Sequence, residues 1–453
     1  MRKPPVYKGM QKKVHIQSLN QEGQGVARVD GFVIFVEGAL PGEDAVIQIV
    51  KVTSKFAIAK MRSYDTPSKL RTDPPCPYFK RCGGCQLMHI KYKGQLLYKQ
   101  KQIMDVLRKV GGIHDDVVLP VIGMDKPYYY RNKVVFNIAQ GEEDPVIGFN
   151  GRHSHRVVDV EQCLISDKII NQILKAVRSW MRGSHVMGYN EEDGTGDVRS
   201  VFIRVGEGGQ TMVGVVTETM RLPSEDALTV KLRRAHKDIV SIFHNVNSGG
   251  GMHLGRENRI LWGRESIKGA IGDYRFEISP HSFYQVNNAQ TVKLYDTVRD
   301  FCDITGGETV LDAYCGVGTI GQYAAKDAKE IIGIETVSEA ITDAKKNAKR
   351  NNLRNTEYLA GDCERVLPQL VHAGKRPDVV IVDPPRKGCD KAFIKALMDA
   401  SPKKIVYVSC NPATMARDIR AMAEKGYKLM RVQPVDMFPH TTQVECVGVV
   451  VRV

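Results

Sequence analysis

A cysteine followed at once by Asn-Pro closes the apolar run Ile405-Val-Tyr-Val-Ser-Cys410-Asn-Pro412. The β-prone residues before it read as a buried strand, and Asn411-Pro412 reads as the turn that stops it. In an open α/β sheet the ligand crevice lies at the carboxyl ends of the strands, so a thiol placed there faces substrate. Cys410 is the candidate nucleophile. Other strand ends carry acids: Ile331-Ile-Gly-Ile-Glu335, Gly361-Asp362 and Val379-Val-Ile-Val-Asp383-Pro-Pro-Arg386. Before them Thr309-Val-Leu-Asp312-Ala-Tyr-Cys-Gly316-Val-Gly318-Thr319 runs from a strand into a glycine turn, where backbone can approach a bound nucleoside closely. Glu335, about twenty residues on, is placed to accept both ribose hydroxyls, and Asp362 to reach an adenine amino group. A third fingerprint glycine and a Gly-Lys-Ser/Thr run are both lacking, which argues against NAD and ATP. S-adenosylmethionine fits best, because an adenosine without phosphates needs carboxylates and a glycine turn rather than an anion hole.

A second set of reactive residues lies in Cys76-Pro-Tyr-Phe-Lys-Arg-Cys82-Gly-Gly-Cys85, where turn residues let three thiolates converge. Cys163 is the nearest remaining cysteine and would complete a set of four. Four thiolates can hold either a [4Fe–4S] cluster or tetrahedral zinc, and the spacing alone leaves both open.

These groups need elements to position them. After Gly272, strands alternate with helical stretches to the C-terminus, the pattern of a doubly wound parallel sheet. Residues 1–66 show short alternating segments broken by Gly23, Gly25, Gly38 and Pro41-Gly42, the spacing of a small β-barrel of the kind that binds single-stranded nucleic acid. Residues 67–270 read as α+β, with a strand beginning near Arg131, a hairpin pairing Ser200–Val205 with Thr211–Val216, and a loop at Gly249–Gly251. The expected domains are therefore 1–66, 67–270 and 271–453, in an α/β chain overall.

Composition narrows the class. The chain of 453 residues has 65 Lys and Arg against 51 acids, a net +14, which suggests an anionic partner such as nucleic acid. Between Pro67 and Val110 ten basic residues face two acids, with Tyr78, Phe79, Tyr92 and Tyr98 interleaved, as if lysines met phosphates and rings stacked on bases. No apolar run reaches the roughly eighteen residues of a membrane helix, and the start lacks the apolar core of a signal peptide. A cytoplasmic location is expected. Ten cysteines are too sparse for a disulfide scaffold in so long a chain. No coiled coil or internal repeat demands an oligomer, so a monomer is expected.

With Cys76, Cys82, Cys85 and Cys163, the segments Ser282-Phe-Tyr-Gln285-Val-Asn287, Asp383-Pro-Pro-Arg386, Ser409-Cys410-Asn411-Pro412 and Phe438-Pro-His-Thr-Thr-Gln-Val-Glu445 complete a pattern. Over nearly its whole length the chain resembles the RNA 5-methyluridine methyltransferases, in particular the ribosomal RNA members with an N-terminal TRAM domain and an iron–sulfur cluster. The resemblance implies an OB-like TRAM barrel, a central domain with a [4Fe–4S] cluster on the four cysteines, and a class I methyltransferase domain. It places Gln285, Tyr314, Glu335, Asp362 and Asp383 on the family's S-adenosylmethionine positions, with Thr319 in a neighbouring variable place. Cys410 falls on the nucleophile and Glu445 on the base; Gln443 stands where many members have histidine. The expected activity is methylation of C5 of a uridine in 23S ribosomal RNA, single-stranded or flipped out, through a covalent bond from Cys410 to C6. The rivals are a tRNA uracil-C5 methyltransferase, an amino-group methyltransferase, and a non-catalytic iron–sulfur RNA-binding module.

Overall fold

Four sheets make up the protein, which we describe from a computed structural model covering residues 3–142, 144–249 and 254–453. Of the expected Gly249–Gly251 loop, Gly250 and Gly251 lie outside the described residues. The first sheet holds six strands, β1 (Gln11–His15), β2 (Ser18–Leu19), β3 (Gly25–Val29), β4 (Phe32–Glu37), β5 (Asp44–Val52) and β6 (Phe56–Tyr64), in the order 1-5-6-4-3-2. Its alternating inward residues, among them Val14, Ala27, Ile34, Val36, Ile47, Ile49 and Ala57, close one small apolar core, giving the expected barrel-like sheet.

Helix α1 (Tyr92–Val106) follows the cysteine loop and runs into a π-helical turn, Leu107–Gly111. Next comes a seven-stranded sheet of β7 (Lys133–Ala139), β8 (Val146–Asn150), β9 (Val157–Asp159), β10 (Val198–Val205), β11 (Thr211–Thr217), β12 (Ile239–Val246) and β13 (Asn258–Gly263), with α2 (Lys168–Gly183) and α3 (Glu225–Ala235) between its strands. The expected hairpin is there: Ser200 pairs with Val216 and Val205 with Thr211. A two-stranded ribbon, β14 (Ile267–Ile271) and β15 (Tyr274–Ile278), leads to α4 (Asn288–Cys302).

The last sheet is doubly wound. Its strands are β16 (Thr309–Ala313), β17 (Glu330–Glu335), β18 (Thr356–Ala360), β19 (Val379–Val382), β20 (Lys404–Ser409), β21 (Tyr427–Val435) and β22 (Glu445–Arg452), in the order 18-17-16-19-20-22-21. The first five pair in parallel, and β22 inserts antiparallel between β20 and β21. Helices α5 (Thr319–Ala324), α6 (Ser338–Arg350), α7 (Cys363–His372), α8 (Lys391–Ala400) and α9 (Pro412–Ala423) connect them. Because strands covered on both faces read as continuous apolar runs, β19 is buried at every residue. Successive side chains feed opposite cores: Ile405 and Tyr407 lie on one face with α8 and α9, Val406 and Val408 on the other with α4.

Helix α1 keeps Lys93 and Lys101 exposed, but its opposite face is buried. Ile103, Val106 and Leu107 pack into the core of the last sheet beside Met415 and Ile419, and Lys99 is fully buried. The interleaved rings are engaged as well: Phe79 is buried, the Tyr98 hydroxyl donates to the Asn20 carbonyl, and the Tyr92 hydroxyl to Asp436. Phe79 is thus a packing group, and the hydroxyls of Tyr92 and Tyr98 are held by the protein. Beyond α1, Val118 and Ile122 bridge in parallel to Val432 and Val435, so this stretch lies along the edge strand β21.

Candidate active site and cysteine cluster

Cys410 sits one residue past β20 and is half-buried. Asn411 caps α9, its side chain accepting from the Ala413 N–H, and its amide donates to the Arg386 carbonyl at 3.1 Å. The cap thereby ties the Asp383-Pro-Pro-Arg386 turn to the cysteine. Glu445 is the first residue of β22 and is 6% exposed. Burial, then the neighbouring Asp383 charge, raises its carboxyl to about 8, against the opposing pull of Arg386. Burial also raises the Cys410 thiol, with Glu445 and Asp383 adding to it and Arg386 working the other way by charge and hydrogen bond. Asp383, just past β19, is raised to about 7 by burial. A thiol, a proton acceptor that is neutral over part of the physiological range, and an exposed guanidinium therefore share one small space, a set suited to nucleophilic addition followed by proton removal.

The glycine turn follows β16, the parallel neighbour of the strand that leads to Asp383. Gly316 and Gly318 have φ of 55° and 79°, and at Gly318 a Cβ would fall 2.7 Å from Gln322 Nε2 and 2.9 Å from the Tyr358 hydroxyl. Glu335 ends β17 and accepts the Gly316 N–H at 3.1 Å, so its carboxylate is turned onto the turn. Tyr314 adopts a left-handed φ of 62° and packs edge-on against Phe393. Thr319 opens α5 and its hydroxyl pairs with that of Tyr295 at 2.9 Å. Asp362 is the exposed residue before α7, its side chain not used for capping. Gln285 is buried ahead of α4, in a loop whose Ser279 and Ser282 carbonyls accept from the buried Arg204 at 2.9 and 3.0 Å.

Asp312 is a site residue to which the sequence reading assigns no role. It is 1% exposed inside β16; Oδ2 accepts the Gly321 N–H at 2.9 Å while Oδ1 has no protein partner. Burial raises it to about 7, helped by Asp383 and Glu335. Asp312, Glu335 and Asp383, in or just past three neighbouring strands, are thus within electrostatic reach of one another. The available signal was an acid inside a buried apolar strand, which needs a partner or a task.

The four cysteines are brought to one neighbourhood and all are free and half-buried. Burial raises the thiols of Cys76, Cys82 and Cys85, and the charge of Cys163 adds to each. Cys76, Cys85 and Cys163 pack on Phe79, Met88, Tyr130 and Ile165. Arg152 crosses the loop, donating to the carbonyls of Phe79 at 3.2 Å and Cys85 at 2.8 Å. Among the described residues no three His, Cys, Asp or Glu side chains are gathered tightly enough to grip a single metal ion.

Comparison with known proteins agrees with this geometry. Residues 255–453 match the family model described as tRNA (Uracil-5-)-methyltransferase, and residues 5–61 match that of the TRAM domain. An "uncharacterized RNA methyltransferase" of Halalkalibacterium halodurans is 43% identical over 447 residues, 98% of each chain. Another from Bacillus cereus is 43% identical over 452 residues, covering 99% of this chain and 98% of its own. Among solved structures, the Pyrococcus abyssi tRNA (uracil-54, C5)-methyltransferase in complex with S-adenosyl-L-homocysteine superposes with a TM-score of 0.78 at 29% identity, over 97% of this chain and 100% of the other.

Proposed function

Because the chain belongs to the RNA uracil-5 methyltransferase family, we propose that it methylates C5 of a uridine in RNA, with Cys410 as nucleophile and Glu445 as base. The observation that carries the reading is the pairing of the two strand ends. Ser409 on β20 is opposite Cys446 on β22, so Cys410 and Glu445 are the next couple out along the same ladder.

Uracil C5 is too weakly nucleophilic to take a methyl group unaided. Addition of the Cys410 thiolate to C6 forms a C–S bond and moves the ring π electrons onto the C4 oxygen as an enolate. C5 of that enolate then takes the methyl group. Glu445 removes the C5 proton, the C5–C6 double bond re-forms, and the C6–S bond breaks to return the thiolate. Arg386, beside both groups, favours their charged forms. Bound S-adenosylmethionine would supply the methyl group on a sulfonium; its positive charges suit the carboxylates of Asp312, Glu335 and Asp383, and the unpartnered Asp312 Oδ1 is an acceptor for its ammonium. Glu335 would take the ribose hydroxyls, Asp362 the adenine amino group, with Gln285, Tyr314 and Thr319 lining the rest. A base inside a duplex cannot reach Cys410, so the uridine must be unpaired or flipped out.

Thiolates also bind zinc, but four half-buried thiols that act on one another by charge are a donor set for a [4Fe–4S] cluster, as the resemblance implies. Cys76, Cys82, Cys85 and Cys163 would hold it in a structural role. We place the protein in the cytoplasm as a monomer acting on 23S ribosomal RNA. The Pyrococcus enzyme favours tRNA as a second reading, since the likeness extends over the barrel and the cysteine region too. Nucleoside mass spectrometry on 23S ribosomal RNA and tRNA from cells with and without the gene decides between them. Loss of 5-methyluridine from 23S ribosomal RNA alone supports the first; loss from tRNA alone moves the assignment.

A further inference from the structure

Helix α1 buries polar side chains on the face it turns towards the catalytic end of the last sheet, which is tolerable only where each finds a partner. Gln95 and Lys99 are both fully buried. Lys99 Nζ donates to Asp436 Oδ1 at 2.5 Å and to the Phe438 carbonyl at 3.1 Å, while the Tyr92 hydroxyl donates to Asp436 Oδ2 at 2.8 Å. Gln95 brackets His440: its Oε1 accepts the His440 N–H at 2.9 Å, and its Nε2 lies 3.1 Å from His440 Nδ1. From the cysteine loop, the consecutive N–H groups of Gln86 and Leu87 both donate to the His440 carbonyl, at 3.0 and 2.9 Å. His440 has a left-handed φ of 69°, a conformation that a non-glycine residue keeps only where its surroundings impose it.

All these bonds converge on the turn that joins β21 to β22. Val435 is the cross-strand partner of Glu445, so Asp436 is anchored immediately beside it and His440 a few residues ahead of it. We propose that Gln95 and Lys99 are positioning residues for Glu445: α1 holds the 436–440 turn, and the turn holds the carboxylate at its place opposite Cys410. The inference rests on the proposed role of Glu445 as base. It also gives the cysteine loop a route to the active site, because Gln86 and Leu87 grip the same residue of the turn that Gln95 does. A connection between strands is ordinarily the least restrained part of a sheet; this one is bound by side chains of a helix and backbone of the cysteine loop, both distant in sequence. Displacing a catalytic group by about 1 Å lowers the rate of its step by roughly 10²-fold.

Two steps of the reaction can be read separately in single turnovers on RNA tritiated at uracil C5. Formation of the covalent adduct needs Cys410, and release of tritium to water needs Glu445. The variants are Gln95→Leu and the double Lys99→Met with Asp436→Asn. Removing both charges together avoids the unpaired buried aspartate that Lys99→Met alone would leave, and the asparagine can still accept from Tyr92. Both variants are expected to form adduct at the wild-type rate and release tritium about 10²-fold more slowly, so that adduct accumulates. Parallel loss of both steps, or no change in either, overturns the proposal. Failure of the wild-type protein to form any adduct would instead remove the reading of Cys410 and Glu445 on which it rests, and that is seen before a variant is made.

Discussion

Cys410 and Glu445 stand opposite each other one step beyond the last paired couple of the β20–β22 ladder, Ser409 with Cys446. Opposed residues of an antiparallel pair project to the same face with Cβ atoms about 5 Å apart. Among the charged neighbours acting on Cys410, Glu445 comes first. One ladder thus sets a thiol and a carboxyl on the same face of the sheet.

Replacing Cys410 with Ala removes the only group proposed to bond C6. Methyl transfer should fall to background while S-adenosylhomocysteine still binds, as calorimetry would show, because the thiol is not among the proposed cofactor contacts. Glu445→Gln should stop the reaction later and leave a methylated RNA adduct visible on a denaturing gel.

The pH dependence follows from the direction of two shifts. Both Cys410 and Glu445 act deprotonated and both are raised, Glu445 to about 8. The rate of tritium release should therefore climb through neutrality and past the carboxyl at about 8, levelling off only above the ordinary thiol range. Stability runs the other way. A carboxyl whose folded value lies above its ordinary 4.5 binds more protons folded than unfolded between the two, so stability falls as pH rises through that window. Glu445→Gln should be more heat-stable than the parent at pH 8, by up to a few kcal/mol at about 1.4 per pKa unit, and no more stable at pH 4. Thermal unfolding at the two pH values checks this.

Asp312→Asn tests the acid that the sequence reading passed over. If its unpartnered oxygen accepts from the ammonium that S-adenosylmethionine and S-adenosylhomocysteine share, loss of a charge-assisted hydrogen bond worth about 1.5–3 kcal/mol weakens the affinity for either roughly 10- to 100-fold. Unchanged affinity for S-adenosylhomocysteine would make Asp312 a structural carboxylate of the glycine turn.

Any one of Cys76, Cys82, Cys85 or Cys163 changed to Ser should cost the anaerobically purified protein its iron and its visible absorbance and lower its unfolding temperature. Reversible oxidation of an intact cluster should leave turnover unchanged. A rate that followed the redox state would replace the structural role with a regulatory one.

Strand ends were legible in the sequence because a parallel strand is a short apolar run and its carboxyl end is where the run breaks; Glu335, Asp383 and Cys410 each mark such a break. Glu445 was legible only through resemblance, since it opens a strand whose register no local pattern gives. Lys99 and Gln95 were not legible at all. A lysine in Tyr92–Val106 reads as solvated until the helix is set against Asp436, 337 residues further on. The same is true of Val118 and Ile122, which join the edge of a sheet formed more than 300 residues later, a pairing that tertiary packing alone decides.

The most direct test of the central claim is tritium release from 23S ribosomal RNA and tRNA transcripts labelled at uracil C5, incubated with the anaerobically purified protein and S-adenosylmethionine. Release of tritium in step with methyl transfer, and neither with Cys410→Ala, is the predicted result. Methyl transfer without tritium release would contradict it, placing the new methyl group on some atom other than C5.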